Sequence, residues 1–429
     1  MDRISQPRLL IISNNCLSLS NSNGRTIYNL LASYPKESIA NFYVRDEKSD
    51  IDGLSHFFRV TDEEAYKSFK TRRPTDGLIK SDVGSSHNNQ PISSHNQRKN
   101  PLFSIARDII WNSEAWKGEH FAKWLDDFNP EAILLQGGDA PFLFRLSRKI
   151  AIKRGIPLII HNSEDYCFKK YNYMSHRFGV VYPLFHMRLY RQVKKAIKAC
   201  SLCIYNSEML KNEYQNHFNH TAEVLMMSSV FSQKKSTPRT KVDSVRIVYL
   251  GNLSVGRHRS LIDIASVLHK RHLQLEIYGR GSQEVLEELS KADGIVYCGV
   301  VDYRKVQEII SESNLIIHAE SFDDYSIKDL RFAFSTKIAD SLASGIPFFL
   351  YAPNELACTQ YLVPLIPDFV ATNHDDMVRK ISDFVDGKSF YPWDEKVFPV
   401  VTKNHSIDKN QEKFIKMVKN AIKERRKNI

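Results

Sequence analysis

No stretch of this sequence approaches the ~20 consecutive apolar residues that a membrane-spanning helix needs, which excludes such a helix. Near its start the chain passes from Arg3 and Arg8 straight into Leu9-Leu10-Ile11-Ile12, too short an apolar run for a secretory signal. A cytoplasmic protein is therefore expected. Cysteine is sparse and scattered, at Cys16, Cys167, Cys200, Cys203, Cys298 and Cys358. The single CxxC, Cys200 to Cys203, has no second CxxC or HxxxH to complete a zinc site, and it leads into the apolar run Leu202 to Tyr205. Buried strand thiols are expected there rather than metal or redox chemistry. A nucleic-acid module is missing, as is a basic stripe interleaved with aromatics. Gly279-Arg280-Gly281 lacks a third glycine, with Glu284 in its place, so it reads as a tight turn rather than a dinucleotide fingerprint.

What is present is a chain of 429 residues, 42% hydrophobic and 25% charged, with a net charge of +11. That length exceeds one hydrophobic core, and the charge points to an anionic partner. Candidates are nucleotide or lipid phosphates, an acidic membrane face or nucleic acid.

Along the first half, apolar runs suited to strands alternate with helical segments. Strands are expected at Leu9–Ser13, Ala132–Gln136, Pro157–His161 and Leu202–Tyr205, and helices at Thr26–Ser33, Pro141–Arg154 and Glu208–Phe218. Between the first strand and helix, Asn23-Gly24-Arg25 reads as a polar loop. Residues 70–100, rich in Ser, Asn, His and Gln, read as a flexible surface excursion. The stretch Pro101 to Trp111 is amphipathic and suits core packing, with a membrane-facing role as the alternative. Ser232 to Ser244 reads as a linker, after which the alternation restarts at Arg246–Leu250. Continuous apolar strands of this kind belong to parallel sheets covered on both faces. The expected architecture is α/β: two Rossmann-like doubly wound domains, 1–235 and 245–400, facing across a cleft, followed by a basic helix over 401–429. That helix carries Phe414, Val418, Ala421 and Ile422 on one stripe, which predicts packing on the first domain. Attraction of its cations to an acidic membrane is the sharper alternative.

Two places carry chemistry. Val248 to Arg257 joins a strand, a glycine turn at Gly251-Asn252 and a guanidinium, a set suited to a diphosphate. Further on, Ser335 is an N-cap and Gly345 with Pro347 a helix stop, which predicts a short helix Thr336–Ser344 with Lys337 in its first turn. A helix N-terminus is already positive, so a cation there makes electrostatic sense with an anion bound. Asp340, one turn on, could take a ribose diol.

These segments resemble glycosyltransferases of the GT-B fold, specifically the retaining, family 4-like group of bacterial polysaccharide synthesis. The resemblance rests on Gly251, Leu253 and Arg257, on the turn Gly279-Arg280-Gly281, on Val296 to Val301, and on Ser335-Thr336-Lys337 with Asp340 and Leu342 to Pro347. It covers most of 245–350, and in the first domain it rests on Asn23-Gly24-Arg25 and Asn206-Ser207-Glu208. The paired glutamates of the family fall here at Phe332 and Asp340, so the first is absent; Asp323, Asp324 and Arg331 are candidates for reshaping that end. The family's His-Asp pair aligns with Ser163-Glu164, with His161 close by.

The resemblance implies a metal-independent hexosyl transfer from a UDP- or GDP-sugar to a glycan or lipid-linked acceptor, with retention and without a cofactor. It makes Arg257, Lys337 and Glu164 catalytic, and Gly251, Asn252, Arg257, Gly279, Ser335, Thr336, Lys337 and Asp340 donor-binding. Asn23, Gly24, Arg25 and Asp165 fall on the acceptor side. The implied setting is exopolysaccharide, capsule or O-antigen synthesis in the cytoplasm or peripherally on the inner membrane face. The competing readings are a sugar-nucleotide 2-epimerase, separable by product analysis, and an inactive GT-B binding subunit, which the missing glutamate favours. Nucleic acid is the weakest option.

Overall fold

The computed structural model describes residues 6–20, 22–78, 100–169, 179–229, 231 and 245–427. The Ser232 to Ser244 linker lies outside the described residues, as do 79–99 of the excursion read at 70–100. The chain divides into two compact units, residues 1–225 with 410–429, and residues 226–409.

The first unit runs β1 (Leu9–Ser13), α1 (Ser22–Leu31), β2 (Ile39–Tyr43), β3 (His56–Arg59), α2 (Asp62–Thr71), α3 (Pro101–Asn112), α4 (Glu119–Phe128), β4 (Ala132–Gln136), α5 (Pro141–Arg154), β5 (Leu158–Asn162), α6 (Tyr182–Ala199), β6 (Leu202–Tyr205), α7 (Glu208–His217) and β7 (Ala222–Val224). Its strands form one parallel sheet in the order β3-β2-β1-β4-β5-β6-β7. The inner strands are buried throughout because helices cover both faces, and this is why they read as unbroken apolar runs.

Two findings correct the reading of the sequence. Strands β2 and β3 join the sheet beside β1, with Leu9 level with Ile39 and Ala40 level with His56. Asn23, Gly24 and Arg25 do not form a loop; they lie in the first turns of α1. The helix can begin so early because Gly24 has no Cβ. One placed there would lie 2.2 Å from the Cys16 carbonyl oxygen and 2.8 Å from the Ser18 nitrogen.

The described segments on either side of 79–99 are built into the first unit. Helix α2 starts at a capping box made by Thr61 and Glu64, and Leu78 bridges to Phe58. Helix α3 starts at an Asn100 cap, and its Trp111 stacks on Phe142 with ring centroids 4.4 Å apart.

The second unit runs β8 (Ile247–Leu250), α8 (Arg257–His269), β9 (Leu275–Tyr278), α9 (Gln283–Ser290), β10 (Ile295–Gly299), α10 (Tyr303–Glu312), β11 (Leu315–Ala319), α11 (Asp324–Leu330), α12 (Thr336–Ala343), β12 (Phe348–Tyr351), α13 (Ala357–Leu362), β13 (Val370–Ala371), α14 (His374–Val385) and α15 (Phe398–Asn404). Its sheet is again parallel, in the order β10-β9-β8-β11-β12-β13. In both sheets the order reverses once, between β1 and β4 and between β8 and β11. Open α/β sheets bind ligands beyond the strand carboxyl ends at such reversals.

A last helix, α16 (Ile407–Lys427), carries the chain back into the first unit. Phe414, Val418, Ala421 and Ile422 join the cluster that holds Leu9, Ile11, Leu30 and Tyr34. Gln411 donates to the Asn29 carbonyl (2.8 Å), and Lys413 donates to that of Val224 (2.7 Å). Its apolar stripe is thus covered by protein.

Candidate active site

In the second unit the sheet reversal brings together two strand ends, Leu250 of β8 and Ala319 of β11. The loop leaving β8 turns sharply. Val255 (φ 61°) and Gly256 (φ 73°) both occupy the left-handed region, which is costly for a β-branched side chain. The Ser326 hydroxyl donates to the Val255 carbonyl (3.3 Å) and so ties this loop to α11. Asp323 caps α11 by accepting from the Ser326 amide (2.8 Å), and the Ser321 hydroxyl donates to Asp323.

This turn delivers Arg257 as the first residue of α8, with its side chain largely buried. Its guanidinium meets Glu320, just past β11, through Nε to Oε2 (2.7 Å) and Nη2 to Oε1 (3.1 Å). His318 Nε2 lies 3.1 Å from the same Oε1. Burial works against ionisation of Glu320. The His318 hydrogen bond and the Arg257 charge outweigh it and hold the pKa below the ordinary carboxylate value. For Arg257, burial is in turn outweighed by Glu320, which raises its pKa. Cys358, in the first turn of α13, is close enough to feel Glu320; burial and then the Glu320 charge push its thiol up to about 12.

Helix α12 starts at the same sheet edge. It connects parallel strands β11 and β12, so it must run back antiparallel to them and begin at their carboxyl ends. The Ala357 amide donates to the Arg331 carbonyl (2.8 Å), which fixes the approach to α12 beside the end of β12. Ser335 caps the helix by accepting from the Lys337 amide (3.4 Å), and the Lys337 side chain is exposed. Thr336 is half-buried. Asp340 accepts from the Ser229 hydroxyl through Oδ1 (2.8 Å). Phe332 is buried, with the Arg331 guanidinium 5.0 Å from its ring centroid.

Gly251, Asn252 and Gly279 complete the edge as backbone. The Asn252 side chain accepts from the Ser254 amide (2.9 Å) and shapes the loop. The Gly251 amide donates to Tyr278 (2.8 Å), and a Cβ on Gly279 would lie 1.6 Å from the Gly251 oxygen. Gly279 is therefore dictated by the closeness of two strand ends.

Glu320 and His318 escaped the sequence reading, which sought a glutamate at a fixed distance before Asp340. The available signal was their position: ionisable residues at the end of an apolar run that becomes a strand of a parallel sheet.

In the first unit, the reversal between β1 and β4 gathers Asn23 and Gly24. Gln136, ending β4, donates to the Asn23 carbonyl (3.2 Å), and the Asn23 amide donates to Asn15 (3.2 Å). Arg25 is half-buried on the same helix. Past the neighbouring β5, Glu164 is exposed. Tyr166 stands among carboxylates: burial, then the Glu164 and Asp139 charges, raise its pKa well above the ordinary value. Asp165 is buried, and its Oδ1 accepts from the amides of Cys167 (2.9 Å) and Phe168 (2.9 Å) and from the Tyr214 hydroxyl (3.2 Å). That oxygen shapes the turn. His161 is buried within β5, which pushes its pKa down to about 4. The CxxC thiols lie 3.5 Å apart as a hydrogen-bonded pair of free cysteines.

No protein-family model matches the sequence, and no curated protein does. Solved structures do match. The lipopolysaccharide outer core galactosyltransferase WaaB is 15% identical with a TM-score of 0.57, over 96% of this chain and 98% of that one. HepE of Anabaena, in complex with UDP, is 10% identical with a TM-score of 0.63, over 96% and 100%. The UDP-forming α,α-trehalose-phosphate synthase of Burkholderia xenovorans is 11% identical with a TM-score of 0.58, over 96% and 100%. The chain has the GT-B fold of these glycosyltransferases.

Proposed function

We propose that the chain transfers a sugar from a nucleotide-sugar donor, UDP- or GDP-linked, to a glycan or lipid-linked acceptor, with retention of configuration. One observation carries this reading: Arg257 heads α8 and Lys337 lies in the first turn of α12, both on the carboxyl edge of the second sheet. Charge accumulates on the β-phosphate as a nucleoside diphosphate departs, and preorganised cations and helix N–H groups stabilise it. Glu320 acts as a positioning residue. It occupies Nε and Nη2 of Arg257, which aims the fork and leaves Nη1 as the nitrogen not engaged by that carboxylate. Asp340 serves the ribose, while Gly251, Asn252, Gly279, Ser335 and Thr336 supply the backbone and cap that receive the donor. On the first unit, Asn23, Gly24, Arg25 and Asp165 form the acceptor side, and Glu164 takes a catalytic role. The acceptor class we favour is a precursor of exopolysaccharide, capsule or O-antigen, met in the cytoplasm or at the inner membrane face. The net charge of +11 supports such a partner.

Replacing Lys337 by Ala tests the donor side. A unit charge about 4 Å away at an effective dielectric near 20 is worth roughly 4 kcal/mol before desolvation, or two to three decades of rate. Steady-state kinetics should show kcat collapsing by that much while donor KM rises little. A near-normal kcat removes Lys337 from the mechanism.

A second reading, a binding subunit without turnover, draws on the Arg257–Glu320 pair, in which the cation already has its counterion. Hydrolysis of a UDP- or GDP-sugar by the purified chain decides between the two.

A further inference from the structure

Helix α3 has an unusual surface. It buries Asp108 and Trp111, while Leu102, Phe103, Ala106 and Ile109 are exposed, with Phe103 at 75%. Burying Trp111 is ordinary, but a surface helix normally turns its carboxylates outward and its large apolar side chains inward. The same character continues on α6 and the turn before it. Val180 is 87% exposed, and Leu184 and Met187 stand out from the first two turns. The two helices pack against each other and present one continuous surface. Ile105 packs on Tyr182 and Phe185, and Arg188 of α6 grips the buried Asp108 through Nε (2.9 Å) and Nη2 (2.5 Å).

Past Met187 the exposed stripe of α6 changes from apolar to basic. Arg191, Lys194, Lys195 and Lys198 follow at helical spacing on the same side, and α6 contains no Asp or Glu. At a rise of about 1.5 Å per residue they lie roughly 6–17 Å behind Met187. Helix α5, packed alongside, also lacks acidic residues. An apolar tip backed by cations matches the depth profile of a bilayer interface, with acyl chains beneath anionic headgroups. A second copy of the chain fits poorly, because a two-fold contact would set these cations against their own kind. Helix α16 lacks the apolar half of this device, since its stripe lies in the core.

We propose that the outward face of α3 and α6 docks the protein on an anionic lipid surface. This inference rests on surface composition and stands whether or not the chain transfers sugar. The test is co-flotation of the full chain with phosphatidylcholine vesicles and with vesicles that also contain phosphatidylglycerol. The protein should float with the second kind only. Leu102→Glu with Phe103→Glu should lower vesicle binding more than tenfold, in line with losing buried apolar side chains. Lys194→Ala and Lys195→Ala should each lower it about fivefold, the factor that a membrane-adjacent cation represents. Lys423→Ala with Arg426→Ala on α16 should leave it unchanged. Circular dichroism of each variant verifies folding, and nucleotide-sugar hydrolysis in solution should not move. The proposal is overturned if the chain ignores anionic vesicles, if the α3 pair binds normally, or if the α16 pair abolishes binding. Self-association in light scattering that the α3 pair dissolves would also overturn it, assigning the face to a second copy.

Discussion

The carboxylate of Glu320 is central to the charge balance at the carboxyl edge of the second sheet. Buried with Arg257 and touched by His318, it is one half of an ion pair whose other half cannot lose its proton. Removing one partner of such a pair leaves an uncompensated buried charge, at a cost of roughly 3–5 kcal/mol. Glu320→Gln should therefore destabilise the second unit by about that amount in urea denaturation and weaken UDP binding in calorimetry. Unchanged stability with weakened UDP binding would instead make Glu320 a ligand contact. A second buried residue makes stability depend on acidity. Burial pushes the His405 pKa down to about 4; its Nδ1 lies 2.7 Å from the Met227 carbonyl and its Nε2 2.9 Å from the Tyr361 hydroxyl. An unfolded histidine titrates near pH ~6.5. Between that value and about 4 the unfolded chain binds a proton that the folded chain refuses, so stability falls as pH falls. Below that window the loss stops growing. The total approaches ~3 kcal/mol at about 1.4 kcal/mol per pH unit. His405→Gln should reduce the dependence of Tm on pH across the window, leaving the part due to buried His161, and an equal slope in both proteins would rule His405 out as a source.

Among the elements, α16 has the clearest energetic role. Phe414 is fully buried, with Tyr34 6.4 Å away between ring centroids. Phe414→Ala should cost about 3–5 kcal/mol, seen as a lower unfolding midpoint reported by the first unit's tryptophans, Trp111, Trp116 and Trp124. Loss of UDP binding in the same variant would mean that the two units do not unfold independently. How well an element could be read followed how local its causes were. Strands β1, β4 and β6 were legible as apolar runs because burial on both faces leaves no other pattern. The α12 boundary was legible from Ser335 and Gly345. Strand β2 was hidden by Asn41, which suits a core only because its amide donates to the Ile11 carbonyl (3.3 Å) and the Ser13 hydroxyl (3.1 Å) and accepts from the Leu17 amide (2.9 Å). The early start of α1 depended on Gly24 approaching Cys16, a contact that no local signal announces.

Over the whole molecule, the repeat of strand and helix made the doubly wound plan legible, and with it the sheet edges that hold the candidate residues. The ion pair at the carboxyl edge of the second sheet was not legible. Arg257 and Glu320 stand 63 residues apart and meet only because β8 and β11 are neighbours at the sheet reversal. The α3–α6 surface likewise depends on which side of an amphipathic helix turns inward, and composition alone leaves that open. Unit membership holds one more consequence. The first unit is assembled from two separate stretches of chain, while the second is one continuous stretch. Once residues up to Lys409 have emerged, the later-made unit has its whole chain and can therefore finish first. The earlier-made unit must wait, with a groove along Tyr34 and Leu30 still open, until the closing segment emerges. A chain truncated shortly before Phe414 would display a mature second unit and an unfinished first unit, and such a truncated chain is what chaperones should bind.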